Sequence, residues 1–485
     1  MDTSKHITIK KKAPCCWEIP LGTITGMNVP GIIYASEDLL PSIQEDQAPL
    51  QVANVACLPG ILKASYAMPD IHWGYGFPIG GVAATDWKTG VVSPGGVGYD
   101  ISCGVRLLST QLNFEDIKPR LKELVSVLFQ HIPCGVGSTS HHKLSMNDLN
   151  KVLNRGVNWV VEQGWGNRDD IAFHEEHGCL RYADDKEVSP HAKERGHDQL
   201  GTLGSGNHFL EIQVVDEVYD PQSAAVMGLF KGQVAVMIHS GSRGLGYQVC
   251  DDFLDVMRRA MHKYGIQLPD MQLACAPVQS EEGQRYLRAM AAAANFGMAN
   301  RQYIMHLTRE VFYKVLSISP KTLGMNLIYD VCHNIAKKEE HLIDGEKRQV
   351  CVHRKGATRA FPAGHPLTPE QYKSIGQPVL VPGDMGRYSF VLTGTQEAME
   401  LSFGSTCHGA GRMMSRSRAL KETKGRLIDK ELEARGIYVQ SRGRKTLHEE
   451  VSEAYKDVSK VVEACQGAGL SRKIARLRPV GVIKG

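Results

Sequence analysis

Between Ser93 and Arg106 the chain reads SPGGVGYDISCGVR, with four glycines crowded around one aspartate, Asp100, and one cysteine, Cys103. Glycine tolerates positive φ and close backbone approach, so this run can fold into a tight loop that aims both side chains at one point. A carboxylate and a thiolate at that spacing have the chemistry of metal ligands. The competing reading is a glycine-rich turn with a buried, inert cysteine, since a free cysteine behaves as a small hydrophobe. The rest of the chain separates the two readings, because three histidines occur at strand ends or beside further glycine-rich turns.

The strand after this loop is expected at Val105–Gln111, and one before it at Gly80–Thr85. Ile117–His131 carries Leu121, Leu124, Val125 and Leu128 at i, i+3, i+4 and i+7, one face of an amphipathic helix. Further helices are expected at Asn147–Gln163, Tyr247–Tyr264, Glu281–Val315 and Leu447–Gly469. In LGTLGSGNHFLEIQVVD a glycine loop leads into Asn207 and His208, then an alternating strand. QVAVMIHSGSRGLG gives a strand at Val234–Ile238 that ends at His239. MNLIYDVCHNIA gives another at Leu327–Val331, with His333 two residues past its end. QPVLVPGDMGRYSFVL reads as two short strands about a glycine turn, and the terminal LRPVGVIKG as a strand.

Residues 1–50 read as an irregular N-terminal segment with one short strand at GIIYA. Residues 164–196 are polar and read as an insertion or lid; His174 and His177 within it read as surface residues, because HEEH lacks the i, i+4 spacing of HExxH zinc sites. Without a repeat, a low-complexity linker or a sharp boundary, residues 1–485 are expected to form one catalytic domain.

The 485 residues suffice for a large core. A net charge of +4 does not announce a nucleic-acid binder. From Ser405 onward, however, 18 Lys and Arg face 9 Asp and Glu; this segment reads either as a surface that attracts polyanions or as a solvated helical face, and composition alone favours the latter. Twelve cysteines without a CxxC pair suggest reduced thiols. The N-terminus lacks the apolar core of a signal peptide, and no run approaches the ~18–20 apolar residues of a membrane span. A soluble, cytoplasmic protein without a membrane partner is expected.

Asp100, Cys103, His208, His239 and His333 form a mixed donor set. Five ligands exceed one closed tetrahedral site, and a thiolate can sit between two ions, as in two-metal phosphoryl chemistry. His408 stands apart, in CHGAGR, where a helix is expected to open. Free N–H groups at a helix start bind phosphate, and an imidazole there can attack phosphorus. Arg412, Arg416 and Arg418 follow it. His72, in MPDIHWGYG, reads either as functional or as a satisfied structural histidine in a loop.

Taken in order, GVGYDISCGVR, GSGNHFLE, HSGSRGLG, YDVCHNIA, CHGAGR and the terminal VIKG resemble the RtcB family of RNA-splicing ligases, over roughly Val52 to Gly485. The resemblance implies an α+β fold of mixed sheets and surrounding helices around a dinuclear metal site. It implies joining of an RNA 2′,3′-cyclic phosphate or 3′-phosphate end to a 5′-hydroxyl end, with GTP as cosubstrate and two Mn(II) ions per subunit, in tRNA splicing or RNA repair. It admits an archease-type activator.

By the same resemblance the metal ligands fall on Asp100, Cys103, His208, His239 and His333, and the histidine that carries GMP on His408. GTP contacts fall on Asn207, His208, Phe209, Leu210, Glu211, His333, Asn334, Pro382, Gly383, Asp384, Met385, Ser389, His408, Gly409, Ala410, Gly411 and Lys484. Arg243 and Arg412 are the candidates for RNA phosphate. Asp384 departs from the small or hydroxyl residue of many members; an acidic group near GTP phosphates is repulsive unless a metal or Arg387 offsets it. The alternatives are a dinuclear phosphoesterase acting on RNA ends, a paralogue that caps nucleic-acid ends, and a non-enzymatic RNA-binding subunit.

Overall fold

The computed structural model of the chain describes residues 7–485, so the first six residues of the expected N-terminal segment fall outside that range. The architecture is α+β, with two large sheets. The first runs in spatial order Lys10–Ala13, Cys16–Ile19, Gly31–Tyr34, Ser65–His72, Ile79–Asp86, Glu346–Lys355 and Asn334–Ile343. The second runs Asn326–Cys332, Gly104–Asn113, Gln233–Ser240, Phe209–Val218, Ser471–Lys484, Ser389–Gly394 and Pro378–Val381, with Tyr438–Ser441 parallel beside Ser471–Lys484. Each sheet mixes antiparallel pairs with one parallel pair.

Register in the second sheet matters most for chemistry. Gly104 pairs with Cys332 on one side and with Ser240 on the other, while Phe209 pairs with His239 and with Lys484. These neighbours are antiparallel, so strand starts and strand ends alternate along one edge. Cys103 and His208 each precede a strand, His239 closes one, and His333 follows one. All four therefore emerge together.

The 36-residue helix Glu281–Leu316 backs this edge. Its alanines Ala291–Ala294 are buried and allow close packing. Its Arg301 is also fully buried. That guanidinium donates to Asp330 Oδ1 at 2.7 Å and Oδ2 at 2.8 Å, to Ser102 O at 2.6 Å and to Ser240 O at 3.0 Å. Arg106 approaches the same Asp330 at 2.9 Å. One carboxylate thus anchors two buried cations, and one of those cations pins the loop of Asp100 and Cys103.

Several expectations are corrected. The N-terminal segment is not irregular: residues 10–34 carry three strands, including GIIY, and pack onto the first sheet. Residues 164–196 are not polar surface throughout, because some of their acidic side chains serve buried cations. Asp170 pairs with Arg309 at 2.8 Å, and Glu175 with Lys337 at 2.9 Å. His174 is buried, not on the surface: it accepts from Arg106 at 2.6 Å, and its Nδ1 donates to Asp170 O at 2.8 Å. His177 is exposed. The helix expected at Asn147–Gln163 bends at Gly156 into two. The one expected at Leu447–Gly469 is split into Arg444–Glu449, a 3-10 turn and Val458–Gly467. No helix opens at His408; the next begins only at Arg416. No helix of the described residues is long and apolar enough to cross a membrane.

Candidate active site

The loop of Asp100 and Cys103 is tied on every side. Ser102 sits at φ +57, which a non-glycine residue adopts only when its surroundings compel it. The compulsion comes from Arg301 on Ser102 O, from Ser102 N donating to Asn334 O at 2.8 Å, and from His333 N donating to Cys103 O at 2.9 Å. Asn334 Nδ2 adds a bond to Asp100 O at 3.1 Å. Across from this loop, a Cβ on Gly241 would lie 2.4 Å from the Asp100 carboxylate, so a larger residue there would displace that carboxylate.

Two donor groups result, Asp100–Cys103–His208 and Cys103–His239–His333, each with ligand atoms within 4.8 Å of one another and with Cys103 common to both. Cys103 Sγ lies 3.4 Å from His208 Nε2 and 3.2 Å from His239 Nε2. His239 and His333 face each other at 3.4 Å between Nε2 atoms, and Asp100 Oδ2 is 2.9 Å from His208 Nε2. His208 Nδ1 is fixed by Leu203 O at 3.1 Å, which directs Nε2 into the cluster. Asp100 Oδ1 is buried without a hydrogen-bond partner among the described residues. Burial, then the neighbouring histidines, hold His239 and His333 well below the usual imidazole range, so both are neutral and able to ligate. Burial and Asp100 push the Cys103 thiol well up. Converging imidazoles, an orphaned carboxylate oxygen and a buried sulfur fit a metal site, and a cation there would offset the burial of the carboxylate and sulfur.

Beside the cluster is a cavity of about 280 Å³. Among its lining residues are Asp100, Cys103, Asn207, Phe209, Glu211, His239, His333, Asn334, Pro382, Gly383, Asp384, Met385, His408, Gly409, Ala410, Gly411, Arg412 and Lys484. Strand alternation puts Phe209 and Glu211 on the cavity face and turns Leu210 into an apolar core with Ile238 and Ile483. Ser389 lies behind the cavity wall, accepting from Gln213 at 3.0 Å and from Gly383 N at 3.4 Å. Arg243, at φ +57, makes one side-chain hydrogen bond among the described residues, Nε to Thr202 Oγ1 at 3.2 Å, and its charge lies close to Asp100 and Cys103.

His408 projects from the loop after Ser405–Cys407, and its ring centroid is 4.7 Å from that of His333. Sequence reading missed its partner, Asp70, on the strand Ser65–His72. Asp70 Oδ2 accepts from His408 Nδ1 at 2.6 Å, from His408 N at 2.9 Å and from Gly409 N at 3.2 Å. The backbone N–H groups assigned to phosphate by the helix expectation thus serve Asp70 instead. Although burial opposes it, His408 and then Lys456 hold the Asp70 carboxyl below its usual range. Gly411 sits at φ +73, and a Cβ there would lie 2.2 Å from Asp70 O. His72 ends the Asp70 strand and lines the cavity; burial takes it down to about 3.

Glu450 and Tyr455 were also missed. Glu450 is buried and meets Arg412 at 3.0 Å, Lys484 at 3.5 Å and Arg416 at 3.8 Å, and it accepts from Tyr455. Arg412 also donates to Glu449 O, Met414 O and Tyr455, so its guanidinium is engaged within the protein. Lys484 is buried at the end of its strand. Asp384 accepts from Gly386 N at 3.0 Å and from Ser452, with Arg387 at 3.6 Å. Burial pushes Asp384 up, and it pushes Glu211, 2.7 Å from Gln213, up to about 7.

A family model described as tRNA-splicing ligase RtcB matches residues 51–485. The chain is 54% identical to a tRNA-splicing ligase RtcB of Archaeoglobus fulgidus, covering 98% of this chain and 99% of the relative. It is 52% identical to one of Methanococcus maripaludis, covering 99% of each, and 53% identical to one of Aeropyrum pernix, covering 97% and 98%. The chain belongs to the RtcB family.

Proposed function

We propose that the chain is an RNA ligase of tRNA splicing or RNA repair that uses GTP and passes GMP through His408. One observation carries this reading. Asp70 accepts a hydrogen bond from Nδ1–H of His408, so in the neutral ring Nε2 carries the lone pair, and Nε2 makes no hydrogen bond among the described residues. The ring stands against a cluster of metal-type donors and lines a cavity with Glu211 and Lys484. A phosphoesterase would need the donors but not a histidine oriented in this way.

In the reaction so proposed, Nε2 of His408 bonds to the α-phosphorus of GTP, and the bond to the departing pyrophosphate breaks. Asp70 stabilises the charge that builds on the ring and holds its orientation. GMP then passes to the RNA 3′-phosphate. The RNA 5′-hydroxyl attacks that activated phosphorus, forming the phosphodiester and releasing GMP. A 2′,3′-cyclic end is first opened by water. Two Mn(II) ions, held by Asp100, Cys103, His208, His239 and His333, would supply Lewis-acid polarisation of phosphoryl oxygens. Glu211 and Lys484 would hold the guanine edge, and Asn207, Phe209, Asn334, Pro382–Met385 and Gly409–Gly411 would shape the rest of the nucleotide pocket. Because His408, backed by the buried Asp70, reaches the same cavity as the donors of the second sheet, the whole chain is read as one catalytic domain.

The names of the relatives, tRNA-splicing ligase RtcB, support the ligase reading. The deciding experiment is incubation with α-labelled GTP and manganese. Label should appear on the wild-type protein and be absent from His408→Ala. Equal labelling of the variant would defeat the assignment of His408, and hydrolysis of RNA ends without any protein label would favour the phosphoesterase.

A further inference from the structure

The chain from Pro133 to His141 turns over a cavity of about 480 Å³ lined by Cys134, Ser138, Thr139, His141, Ser441 and Arg442, among others. No carboxylate lines it. Other surface cavities, near Tyr219, His341 and Phe173, each carry at least one carboxylate: Asp220, Glu400 and Asp169 respectively. The two stretches that form the cavity, Phe129–Ser145 and Tyr438–His448, contain no Asp or Glu; of their basic residues Arg442 lines the cavity, while Lys445 pairs with Glu449 at 3.7 Å. Arg442 forms no ion pair among the described residues, and its guanidinium makes a single long hydrogen bond, to Cys134 O at 3.4 Å. Ser138 is buried, and its hydroxyl has no hydrogen-bond partner among the described residues. An uncompensated guanidinium and an unused hydroxyl on residues lining one cavity are donors that suit an oxyanion.

This cavity shares no lining residue with the catalytic one, but hydrogen bonds tie the walls of the two together. Arg442 N donates to Lys484 O at 3.3 Å, and Cys134 Sγ lies 3.5 Å from the same oxygen. Gly135 N donates to Gly204 O at 2.8 Å, and Leu203 N to Pro133 O at 2.9 Å. Its lining segments are therefore tied to the backbone of Lys484 and to the loop that leads into Asn207 and His208. We propose that this is a second anion site, which takes a backbone phosphate of the RNA strand while the strand's end occupies the catalytic cavity. The assignment to RNA rests on the ligase reading above; the oxyanion chemistry does not. It also gives a task to part of the basic C-terminal segment that the catalytic residues leave unused.

The test is binding of a labelled single-stranded RNA with a 3′-phosphate to the full-length, manganese-loaded protein across a salt series. Arg442→Met keeps the stem that packs over Gly135 and removes the charge; Arg442→Lys keeps the charge. Arg442→Met should weaken RNA binding about tenfold at low salt and lower the slope of log Kd against log salt by about 0.7–1. Arg442→Lys should retain most of the affinity, Ser138→Ala should lose part of it, and GMP labelling should be unchanged in all three. An unchanged affinity and slope in Arg442→Met overturns the proposal; if that variant does not fold, the same result in Ser138→Ala does so. Inorganic phosphate should compete only weakly. If it displaces RNA in proportion to its own tight, Arg442-dependent binding, the site serves free anions and the RNA assignment falls. Loss of GMP labelling in the wild type would instead defeat the ligase reading and leave the Arg442 comparison intact.

Discussion

Asp70 and His408 lie 338 residues apart in the chain and meet at 2.6 Å between carboxylate Oδ2 and imidazole Nδ1. That contact sets the tautomer of the ring. With Nδ1–H donated to a buried carboxylate, Nε2 is the only nitrogen with a lone pair to offer. Asp70→Asn keeps an acceptor oxygen for the backbone N–H groups of His408 and Gly409 but no longer enforces the tautomer. GMP labelling should slow roughly 10²–10⁴-fold, while manganese content stays at the wild-type level. Wild-type labelling kinetics in Asp70→Asn would reduce Asp70 to a structural residue.

Cys103 is the atom shared by both donor groups. A serine hydroxyl stays protonated at neutral pH and cannot replace a thiolate as a bridging anion. Cys103→Ser should therefore lose both manganese ions together, along with GMP labelling and end joining. Metal analysis after gel filtration checks this, and two ions retained in the variant would exclude a bridging role. Oxidation of the same thiol should inactivate the wild type, and reductant should restore activity only from the sulfenic or disulfide stage.

Most of this donor set was legible in the sequence because its members sit where pattern changes. Cys103, His208, His239 and His333 each follow or precede an apolar run, and antiparallel register does the rest. Asp70 was not legible, since nothing near MPDIH says that a loop at His408 will cross it. Glu450 and Tyr455 were hidden in what reads as a continuous helix, which breaks so that both reach the cavity. The polar run at 164–196 misled for an energetic reason: a buried arginine needs buried acceptors, so a hydrophilic segment can be interior. The missing signal was Arg106, an arginine in the middle of the apolar strand Gly104–Asn113.

That buried network should show in stability. Burial opposes ionisation of Asp330, but Arg301 and Arg106 hold its carboxyl well below the usual range. A carboxyl depressed in the folded state contributes stability above its unfolded pKa of about 3.9, and loses that contribution as pH falls further. Asp330→Asn leaves two buried guanidinium groups without a counter-charge, which typically costs about 3–5 kcal/mol. The urea midpoint at pH 7 should fall accordingly, and the difference between variant and wild type should narrow in acid. A variant as stable as the wild type at pH 7 would mean that water or neighbouring carbonyls already satisfy Arg301 and Arg106.

Base selection yields the sharpest pH prediction. Guanine presents donors at N1 and N2 and an acceptor at O6, a pattern that an ionised Glu211 and a charged Lys484 complement. Adenine reverses part of that edge, so ATP would leave both groups mismatched. Both side chains are buried at the same cavity, and Lys484 is held there by its strand pairing to Phe209 and by Glu450 at 3.5 Å. Burial lifts the Glu211 carboxyl to about 7, against the pull of Gln213 and Lys484. Above that pH it is ionised and can accept from both guanine donors; below it, the proton occupies one oxygen. Apparent GTP affinity should therefore fall as pH drops through about 7 in the free enzyme. Glu211→Gln should raise the GTP requirement about 10–100-fold, the equivalent of one charged hydrogen bond at ~1.5–3 kcal/mol, and should lose that acid limb. Removing Lys484 and Gly485 should raise the GTP requirement while manganese content holds, and should keep the limb, because Glu211 still titrates. The measurement is the initial rate of GMP labelling against GTP concentration from pH 6 to 8.5, with ATP as competitor. A limb that persists unchanged in Glu211→Gln would assign it to another group, and a truncated protein that still rejects ATP at the wild-type GTP requirement would remove Lys484 from base recognition.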